Sequence, residues 1–212
     1  MPLDLYRKRR DFTSTPEPSG ERSQRRSKPK LLRYVIQKHL ASHLHYDFRL
    51  EWNGVMLSWA VPKGPSLDPS VKRLAMQVED HPIDYSDFES VIPSGEYGGG
   101  TVMVWDTGSW TPESPDVDAA LRKGELKFSL KARKLGGSWV LVRTRGYRGS
   151  AKRADQTSQR SSWLLIKHRD AYASREDITL EAPRSALSGR TLAEIARDEG
   201  GDVARAATGD PR

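Results

Sequence analysis

The feature that most constrains the fold is a strictly alternating segment, residues 45–52 (HYDFRLEW), which runs directly into an Asn-Gly dipeptide. Tyr46, Phe48 and Leu50 share one face of such a strand, because successive side chains point to opposite sides. Asn-Gly favours a two-residue hairpin turn, and residues 55–61 (VMLSWAV) supply a returning strand. The pattern therefore predicts an antiparallel hairpin with one apolar face.

The rest of the chain repeats short strand patterns between breaks of Gly, Pro and Asp. We predict further strands at 33–37, 74–78, 100–105, 125–130, 139–143 and 163–167, and short helices at 116–123 and 192–198. Many short strands around one modest core are typical of barrels and sandwiches. The predicted fold class is mainly β, a single compact β-barrel-like domain with a few short helices and polar tails. We expect a basic arm at 1–30, the barrel at 31–183 and a polar, mobile tail at 184–212.

Composition narrows the classes of protein to which the chain can belong. Hydrophobic residues make up 36% of the 212 residues, and no apolar run approaches the roughly 20 residues that a membrane helix needs. The sequence contains no cysteine, which excludes disulfide frameworks, cysteine-ligated metal sites and thiol catalysis. The N-terminal residues lack the apolar centre of a signal peptide. We therefore expect a soluble cytoplasmic protein without a membrane partner.

The net charge of +7 is concentrated near the N-terminus. Residues 1–30 hold nine basic residues against four acidic ones, and residues 145–162 form a second basic, low-complexity stretch. A basic arm before a mildly basic domain is typical of proteins that bind polyanions such as nucleic acid. On charge alone, a solubilising tail remains an alternative explanation of the arm.

Three of the five histidines fall within seven residues, at His39, His43 and His45. Strand alternation places His45, Asp47 and Arg49 on one face, about 6.6–6.8 Å apart along the strand. His39 can fold back across a short turn as a third metal ligand, which leaves His43 as a supporting or surface residue. Two imidazoles and a carboxylate suit Mn, Zn or Fe, and an adjacent guanidinium suits a phosphate. The alternative is the polar, solvent-facing half of an amphipathic strand.

Other candidate residues lie in loops and at strand ends. His81 follows a predicted strand, where it can bind phosphate or protonate a leaving oxygen, or form a turn capped by Asp80. Lys63 and Arg73 are candidate phosphate contacts, although single basic residues are usually just solvated. The glycine-rich residues 95–100 match no nucleotide-binding fingerprint and predict a tight turn. The tryptophans fall mostly in strand patterns and are expected in the core.

Several longer motifs occur in order along the chain. They are YRKRRDF (6–12), TPEP (15–18), QKHLASHLHYDFRLE (37–51), SWAVPKGPS (58–66), VEDHPIDY (78–85), IPSGEYG (92–98) and WLLIK (163–167). Together these motifs resemble the 3′-phosphoesterase module of bacterial DNA ligase D, the multi-enzyme protein of non-homologous end joining. The resemblance implies a compact β-barrel that trims the 3′ end of a primer strand in a manganese-dependent reaction. A phosphodiesterase step removes a terminal ribonucleoside, and a phosphomonoesterase step then leaves a 3′-OH that a ligase can seal.

The resemblance also implies roles for individual residues. His39, His45 and Asp47 match the metal ligands, and Arg49 and His81 match the phosphate-binding and leaving-group residues. The residues that match supporting or substrate-binding positions are Tyr85, Lys63, Arg73, Arg10, Asp11 and Glu17. Because the last three lie in the N-terminal arm, the resemblance implies that the arm folds over the active site.

We therefore predict a DNA 3′-end-processing phosphoesterase with Mn²⁺ as cofactor, acting on DNA or RNA–DNA primer–template 3′ ends. Its expected partners are a separate ATP-dependent DNA ligase and Ku, because the sequence has no KxDG nucleotidyl-transfer motif. One alternative is a non-haem iron oxygenase that uses His45, Asp47 and His81 as its facial triad. A second alternative is a non-catalytic scaffold that binds DNA ends. The arginine beside the metal residues argues against the oxygenase, and the intact ligand set argues against the scaffold.

Overall fold

The computed structural model describes residues 3–21, 31–144 and 161–211. Its strands are β1 Leu32–Leu40, β2 Leu44–Trp52, β3 Val55–Val61, β4 Lys72–Gln77, β5 Ser90–Ile92, β6 Gly100–Pro112, β7 Glu125–Ala132, β8 Gly136–Arg143 and β9 Ser162–Lys167. Its α-helices are α1 Asp4–Lys8, α2 Val117–Lys123, α3 Ile178–Glu181, α4 Leu192–Asp198 and α5 Val203–Ala207, and a 3₁₀ helix covers Ile83–Asp87. No helix in these ranges is long and apolar enough to cross a membrane.

The strands form one antiparallel sheet that closes into an eight-stranded barrel. The order is β1-β2-β3-β4-β9-β8-β7-β6, and β6 pairs again with β1. The short strand β5 adds to the edge of β6 beyond the closure. Closure leaves the barrel strands without a free edge that could pair with another chain. The prediction of a mainly β, barrel-like fold is confirmed.

Aromatic side chains fill the barrel interior. Phe48 lies near its centre, with ring centroids 5.5 Å from Tyr34, 6.3 Å from Trp59 and 5.7 Å from Phe128. Five of the six tryptophans are fully buried, and Trp52 is half-buried. Each large ring removes roughly 150–250 Å² from water, so a chain with few hydrophobic residues still fills a barrel. Because the core lies inside, the outer face of the sheet is available for polar chemistry.

Strand β6 extends beyond the predicted 100–105. The apolar pattern that predicts the strand is interrupted by Asp106, a carboxylate buried in the middle of β6. Asp106 accepts hydrogen bonds from the Tyr34 hydroxyl and from the backbone N–H groups of Thr107, Lys134 and Leu135. These donors compensate the cost of burying the carboxylate. The three-residue strand β5 was also missed, because it is too short to show an alternating pattern.

The described residues after 184 differ from the expected polar, mobile tail. Leu192, Ile195 and Ala196 of α4 are fully buried in the main core, together with Ala206 of α5. The Asp210 carboxylate accepts hydrogen bonds from the first two backbone N–H groups of α4. This part of the chain therefore closes one side of the hydrophobic core instead of extending into solvent.

The described part of the N-terminal arm, residues 3–21, also differs from the expected polar tail, because it packs against the rest of the protein. Tyr6 of α1 is fully buried in a second cluster with Tyr85, Phe88 and Ile92. Its hydroxyl donates a hydrogen bond of 2.7 Å to the Pro18 carbonyl. The basic residues at 22–30 and the predicted loop over 145–160 lie outside the described residues.

The buried position of α4 predicts a large stability effect for one substitution. Ile195→Ala should lower the free energy of unfolding by about 2–5 kcal/mol, because it leaves a cavity in the core. Leu187→Ala, at an exposed position in the same region, should change it by less than about 0.5 kcal/mol. Denaturant unfolding of both variants measures the difference. Equal, small effects would mean that α4 is not part of the cooperative core.

Candidate metal and phosphate site

A polar cluster lies on the outer face of β1, β2 and β3. The strand register places His39 opposite His45, Gln37 opposite Asp47, and Arg49 opposite Ser58. Side chains at these positions share one face because they alternate with the core-facing Tyr46, Phe48 and Leu50. The predicted division of the β2 strand into a polar and an apolar face is therefore confirmed. The polar face is nevertheless largely buried, because the N-terminal residues and the 3₁₀ helix cover it.

His39, His45 and Asp47 form the group that can hold a metal ion. One nitrogen or oxygen from each residue lies within 4.8 Å of the others. His39 Nδ1 lies 3.7 Å from Asp47 Oδ2, and His45 Nε2 lies 3.7 Å from Asp47 Oδ1. These distances are too long for good hydrogen bonds, so the facing nitrogen atoms have no direct bond to the carboxylate.

The remaining nitrogen of each imidazole is tied to the backbone. His39 Nε2 lies 2.8 Å from the Gly98 carbonyl oxygen, and His45 Nδ1 lies 3.0 Å from the His43 carbonyl oxygen. Because a carbonyl oxygen only accepts, these two nitrogens are the hydrogen-bond donors. In a neutral imidazole, the nitrogen facing Asp47 is then the one with the lone pair. Metal-binding histidines usually have this arrangement. The donor set of two imidazoles and one carboxylate therefore fits a divalent transition-metal ion.

Arg49 holds the Asp47 carboxylate in place. Its side chain is 2% exposed, and it donates to Asp47 Oδ2 at 3.0 Å, Gln37 Oε1 at 2.8 Å and Ser58 Oγ at 2.8 Å. Burial by itself would raise the pKa of the Asp47 carboxyl, but Arg49, followed by His39 and His45, lowers it well below the usual range. Asp47 is therefore ionised at neutral pH, as a metal ligand must be.

Gln37 and Ser58 were not predicted as site residues. Each sits opposite a charged residue on the polar face, and each satisfies one donor of the buried guanidinium. The sequence does place both residues on the outward-facing side of strands whose other side is apolar. Their contact with Arg49, however, follows only from the pairing of the three strands.

His81 is a buried, neutral imidazole beside the metal residues. An isolated bridge to Met56 fixes its backbone to β3, and its Nδ1 lies 2.9 Å from the Glu79 carbonyl oxygen. Its Nε2 lies 3.4 Å from Arg10 Nη2. Burial, with Arg49 and Arg10 nearby, lowers the pKa of His81 well below its usual value. The Nε2 lone pair is therefore available, and the alternative of a turn capped by the Asp80 side chain is not observed.

The N-terminal arm supplies Arg10 to the same site. Arg10 Nε donates to Glu17 Oε1 at 2.8 Å, Nη1 lies 3.4 Å from Glu79 Oε1, and the guanidinium stacks 3.9 Å from the centre of the Tyr6 ring. The described part of the arm therefore lies beside the cluster. Glu17 of the arm and Glu79, which follows β4, anchor the arginine that lies against His81.

Tyr85 completes the wall of the site from the 3₁₀ helix. Its ring centre lies 4.7 Å from that of His81 and 5.0 Å from the Arg49 guanidinium carbon. Burial raises the pKa of the Tyr85 phenol well above its usual value, so the hydroxyl stays protonated. Tyr85, Arg49, His81, Arg10 and the metal residues all line one cleft of about 330 Å³.

The structure places four predicted residues outside the lining of this cleft, and the first of them, Glu17, is the buried partner of Arg10. Asp11 is exposed and accepts hydrogen bonds from Thr13 and Ser14, so it stabilises a turn of the arm. Lys63 is exposed in the turn after β3. Arg73 lies on the same side of β4 as the buried Ala75, and its Nε atom is buried without a hydrogen-bond partner. Substrate-binding roles for these four residues remain predictions.

The sequence over this site also matches a known protein family. Residues 37–143, half of the chain, match the sequence profile of the DNA ligase D 3′-phosphoesterase domain. The chain belongs to this family. The matched range contains the three metal-binding candidates together with Arg49, His81 and Tyr85.

Curated relatives of the ligase D family support the same assignment. The chain is 54% identical over 194 residues to the multifunctional non-homologous end joining protein LigD of Pseudomonas aeruginosa. The matched segment covers 90% of this chain and 22% of that protein. It is 44% identical over 154 residues to LigD of Mycobacterium tuberculosis, covering 71% of this chain and 19% of the relative. It is 40% identical over 164 residues to LigD of Mycolicibacterium smegmatis, and this match covers 74% of this chain and 21% of the relative. The chain thus spans about a fifth of the length of these relatives.

The carboxyl of Asp80, next to His81, predicts a pH-dependent stability. Burial and the neighbouring Glu79 raise the pKa of Asp80 to about 6. Because the folded-state pKa exceeds the unfolded value of about 3.9, the folded protein binds more protons in this window. The contribution of Asp80 to stability is therefore lost as the pH rises from about 4 through 6.

Asp80→Asn should consequently increase the free energy of unfolding relative to the parent at pH 7.5, by about 1 kcal/mol after solvent screening, and change it little at pH 4. Denaturant unfolding at both pH values measures this. The exposed Asp84→Asn serves as the control, and a gain that is equal at both pH values would contradict the assigned cause.

Proposed function

We propose that this chain is a manganese-dependent phosphoesterase that processes the 3′ ends of DNA strands. Its substrates are a strand that ends in a ribonucleoside and a strand that ends in a 3′-phosphate. The observation that carries the proposal is a pair of imidazoles that each contact a backbone carbonyl through one ring nitrogen and direct the other nitrogen toward Asp47. Three groups suited to phosphate chemistry, Arg49, His81 and Arg10, line the same cleft.

His39 Nδ1, His45 Nε2 and an Asp47 oxygen would hold the metal ion. A bound divalent ion of this kind neutralises charge on a phosphate and lowers the pKa of water. We assign Mn²⁺ because the nitrogen and oxygen donors suit a borderline divalent ion and because the motifs resemble a manganese-dependent family. Arg49 keeps the carboxylate ionised and oriented toward this position.

Two guanidinium groups would bind the non-bridging phosphate oxygens. Arg10 and Arg49 both line the cleft, and each is held in a fixed orientation by carboxylate or amide acceptors. Donors fixed in advance need no reorganisation when charge develops on the phosphate, which is the main source of electrostatic catalysis. The Tyr85 ring packs against Arg49, and its protonated hydroxyl is a further donor available to the substrate.

His81 would handle the proton. Its Nε2 is unprotonated in the free protein, so it can accept a proton from the attacking water as the new P–O bond forms. It can then return this proton to the leaving oxygen when the old P–O bond breaks. In the first step the leaving oxygen belongs to the terminal ribonucleoside. In the second step it is the 3′-oxygen of the strand, which becomes a 3′-OH.

The geometry argues against the two alternative functions. An oxygenase triad would need His81 as a ligand with His45 and Asp47, but His81 Nε2 faces the guanidinium of Arg10. His39 instead completes the candidate metal group. A non-catalytic scaffold has no need for buried metal ligands beside a neutral imidazole. The names of the relatives place them in non-homologous end joining, and we propose a ligase and Ku as partners of this chain.

The metal assignment predicts the effect of Asp47→Asn, which keeps the side-chain shape but removes the charge. Manganese affinity should fall at least about 100-fold, since the ligands must be deprotonated and in place, and end trimming should be lost. Calorimetric titration with Mn²⁺ measures binding, and a labelled primer–template ending in one ribonucleotide measures trimming. The exposed Asp84→Asn is the matched control. Full manganese-dependent trimming by Asp47→Asn would overturn the site.

The position of Arg10 predicts a substrate effect without a metal effect. Arg10→Ala should leave Mn²⁺ binding unchanged and raise KM for the primer–template about tenfold, because it removes a charged phosphate contact. The slope of log affinity against log salt should become shallower by about 0.7–0.9. The exposed Arg122→Ala, outside the cleft, should change neither quantity. An unchanged KM and salt slope would remove Arg10 from substrate binding.

A further inference from the structure

Tyr97 is an exposed aromatic residue at the mouth of the proposed active site. Among the exposed large hydrophobic side chains of the described ranges, it alone lines the cleft that contains the metal-binding residues. Its side chain remains 41% exposed although the surrounding polar residues are mostly buried. Burying this ring would be favourable, so its exposure needs an explanation.

The loop between β5 and β6 fixes this ring close to the metal residues. Its turns are closed by hydrogen bonds from Glu96 N to the Pro93 carbonyl and from Gly99 N to the Glu96 carbonyl. Gly98, directly after Tyr97, has a positive φ of 81° and directs its carbonyl to His39 Nε2. The residue that orients a proposed metal ligand is thus the immediate neighbour of the exposed ring.

Two arginines hold the ring from the arm side. Arg9 Nη1 donates to the Tyr97 hydroxyl at 2.8 Å, and its guanidinium carbon lies 5.0 Å from the ring centre. Arg10 lies 5.4 Å from the same centre. Arg9 is itself anchored to Glu79 at 2.8 Å. The ring is therefore held next to two positive charges, while part of its surface faces solvent.

This combination matches the chemistry of a nucleotide. An exposed aromatic ring stacks on any base, since every base has a π face, and adjacent arginines attract the phosphate backbone. Arg10 connects the two features, because it lies beside both the Tyr97 ring and His81 Nε2. A phosphate bound at Arg10 would therefore bring a neighbouring base toward Tyr97.

We propose that Tyr97, held by Arg9, is a stacking subsite for the base of a nucleotide directly adjacent to the scissile phosphate. The inference rests on the proposed function and specifies its substrate as a strand with a base at that position, in any sequence. A stack on an aromatic residue is worth about 5- to 150-fold in affinity. Tyr97 would thus position the 3′ end for both reaction steps without touching the reacting atoms.

The first test measures stacking without turnover. The primer–template carries 2-aminopurine as either of its last two bases, and its fluorescence is followed on titration with the full chain in EDTA. With the parent protein, emission should be quenched further at one of the two positions. Tyr97→Leu should abolish that additional quenching, and Tyr97→Phe should keep it. Equal signals for the parent and Tyr97→Leu at both positions would overturn the subsite.

The second test measures trimming with manganese. On an intact primer, Tyr97→Leu should raise KM about 5- to 150-fold with little change in kcat. On a primer with an abasic sugar at the stacked position, the parent and Tyr97→Leu should have the same KM. Tyr172→Leu, at an exposed tyrosine elsewhere, controls for loss of a surface aromatic. A KM difference that persists with abasic sugars at both positions would contradict stacking.

The two proposals fail in distinguishable ways. If the parent protein shows no manganese-dependent trimming, the proposed function fails, while the fluorescence titration still reports whether Tyr97 stacks on a base. If trimming is observed but Tyr97→Leu behaves as the parent in both tests, only the stacking subsite is wrong.

Discussion

The buried ion pair between Asp47 and Arg49 is the interaction on which the site depends. A carboxylate that is almost removed from water would normally take up a proton, and a buried guanidinium without acceptors would be costly. The two charges compensate each other, and Gln37 and Ser58 accept hydrogen bonds from two more of the five arginine N–H donors. The outcome is a fixed negative charge between two imidazoles.

This charge can be buried on the outside of a barrel because the protein has two layers of packing. The barrel interior carries the main hydrophobic core, so the outer face of β1–β3 is free to carry polar residues. Tyr6, Tyr85 and Phe88 form a second, smaller cluster that covers this face. The second layer buries Arg49 and His81 but leaves a cleft of about 330 Å³ beside them. Low local dielectric then strengthens each charged contact in the site.

Sequence reasoning succeeded where a short, local pattern determines the outcome. Alternation over 45–52 assigned Phe48 to the core and Asp47 to the opposite face. A shift of the strand register by one residue would turn all the apolar side chains of this strand toward solvent. The tight turn after β1 was enough to bring His39 back to His45. These inferences needed only the period of a strand and one hairpin.

Sequence reasoning failed where distant segments meet. Gln37 and Ser58 became site residues only through the pairing of three strands, and Arg73 lies on the core-facing side of β4, which its own short segment does not reveal. Ile195 belongs to a seven-residue helix, too short for a clear amphipathic period. The N-terminal arm looked unstructured because its one large core residue, Tyr6, is surrounded by charges. Its partners, Tyr85 and Phe88, lie about eighty residues away in sequence.

The C-terminal helices connect the stability of the core to the geometry of the metal residues. Arg205 of α5 donates a hydrogen bond to the Ala41 carbonyl, in the turn that joins the strands carrying His39 and His45. The preceding helix, α4, packs against α5 and buries Ile195 and Leu192 in the main core. The turn between the strands that carry the two imidazoles is thus bonded to Arg205, and the position of α5 depends on the packing of the C-terminal helices in the main core. The described part of the N-terminal cover, residues 3–21, instead packs through Tyr6 in the separate cluster. The cover of the site and the spacing of its two imidazoles therefore depend on different hydrophobic clusters of the protein.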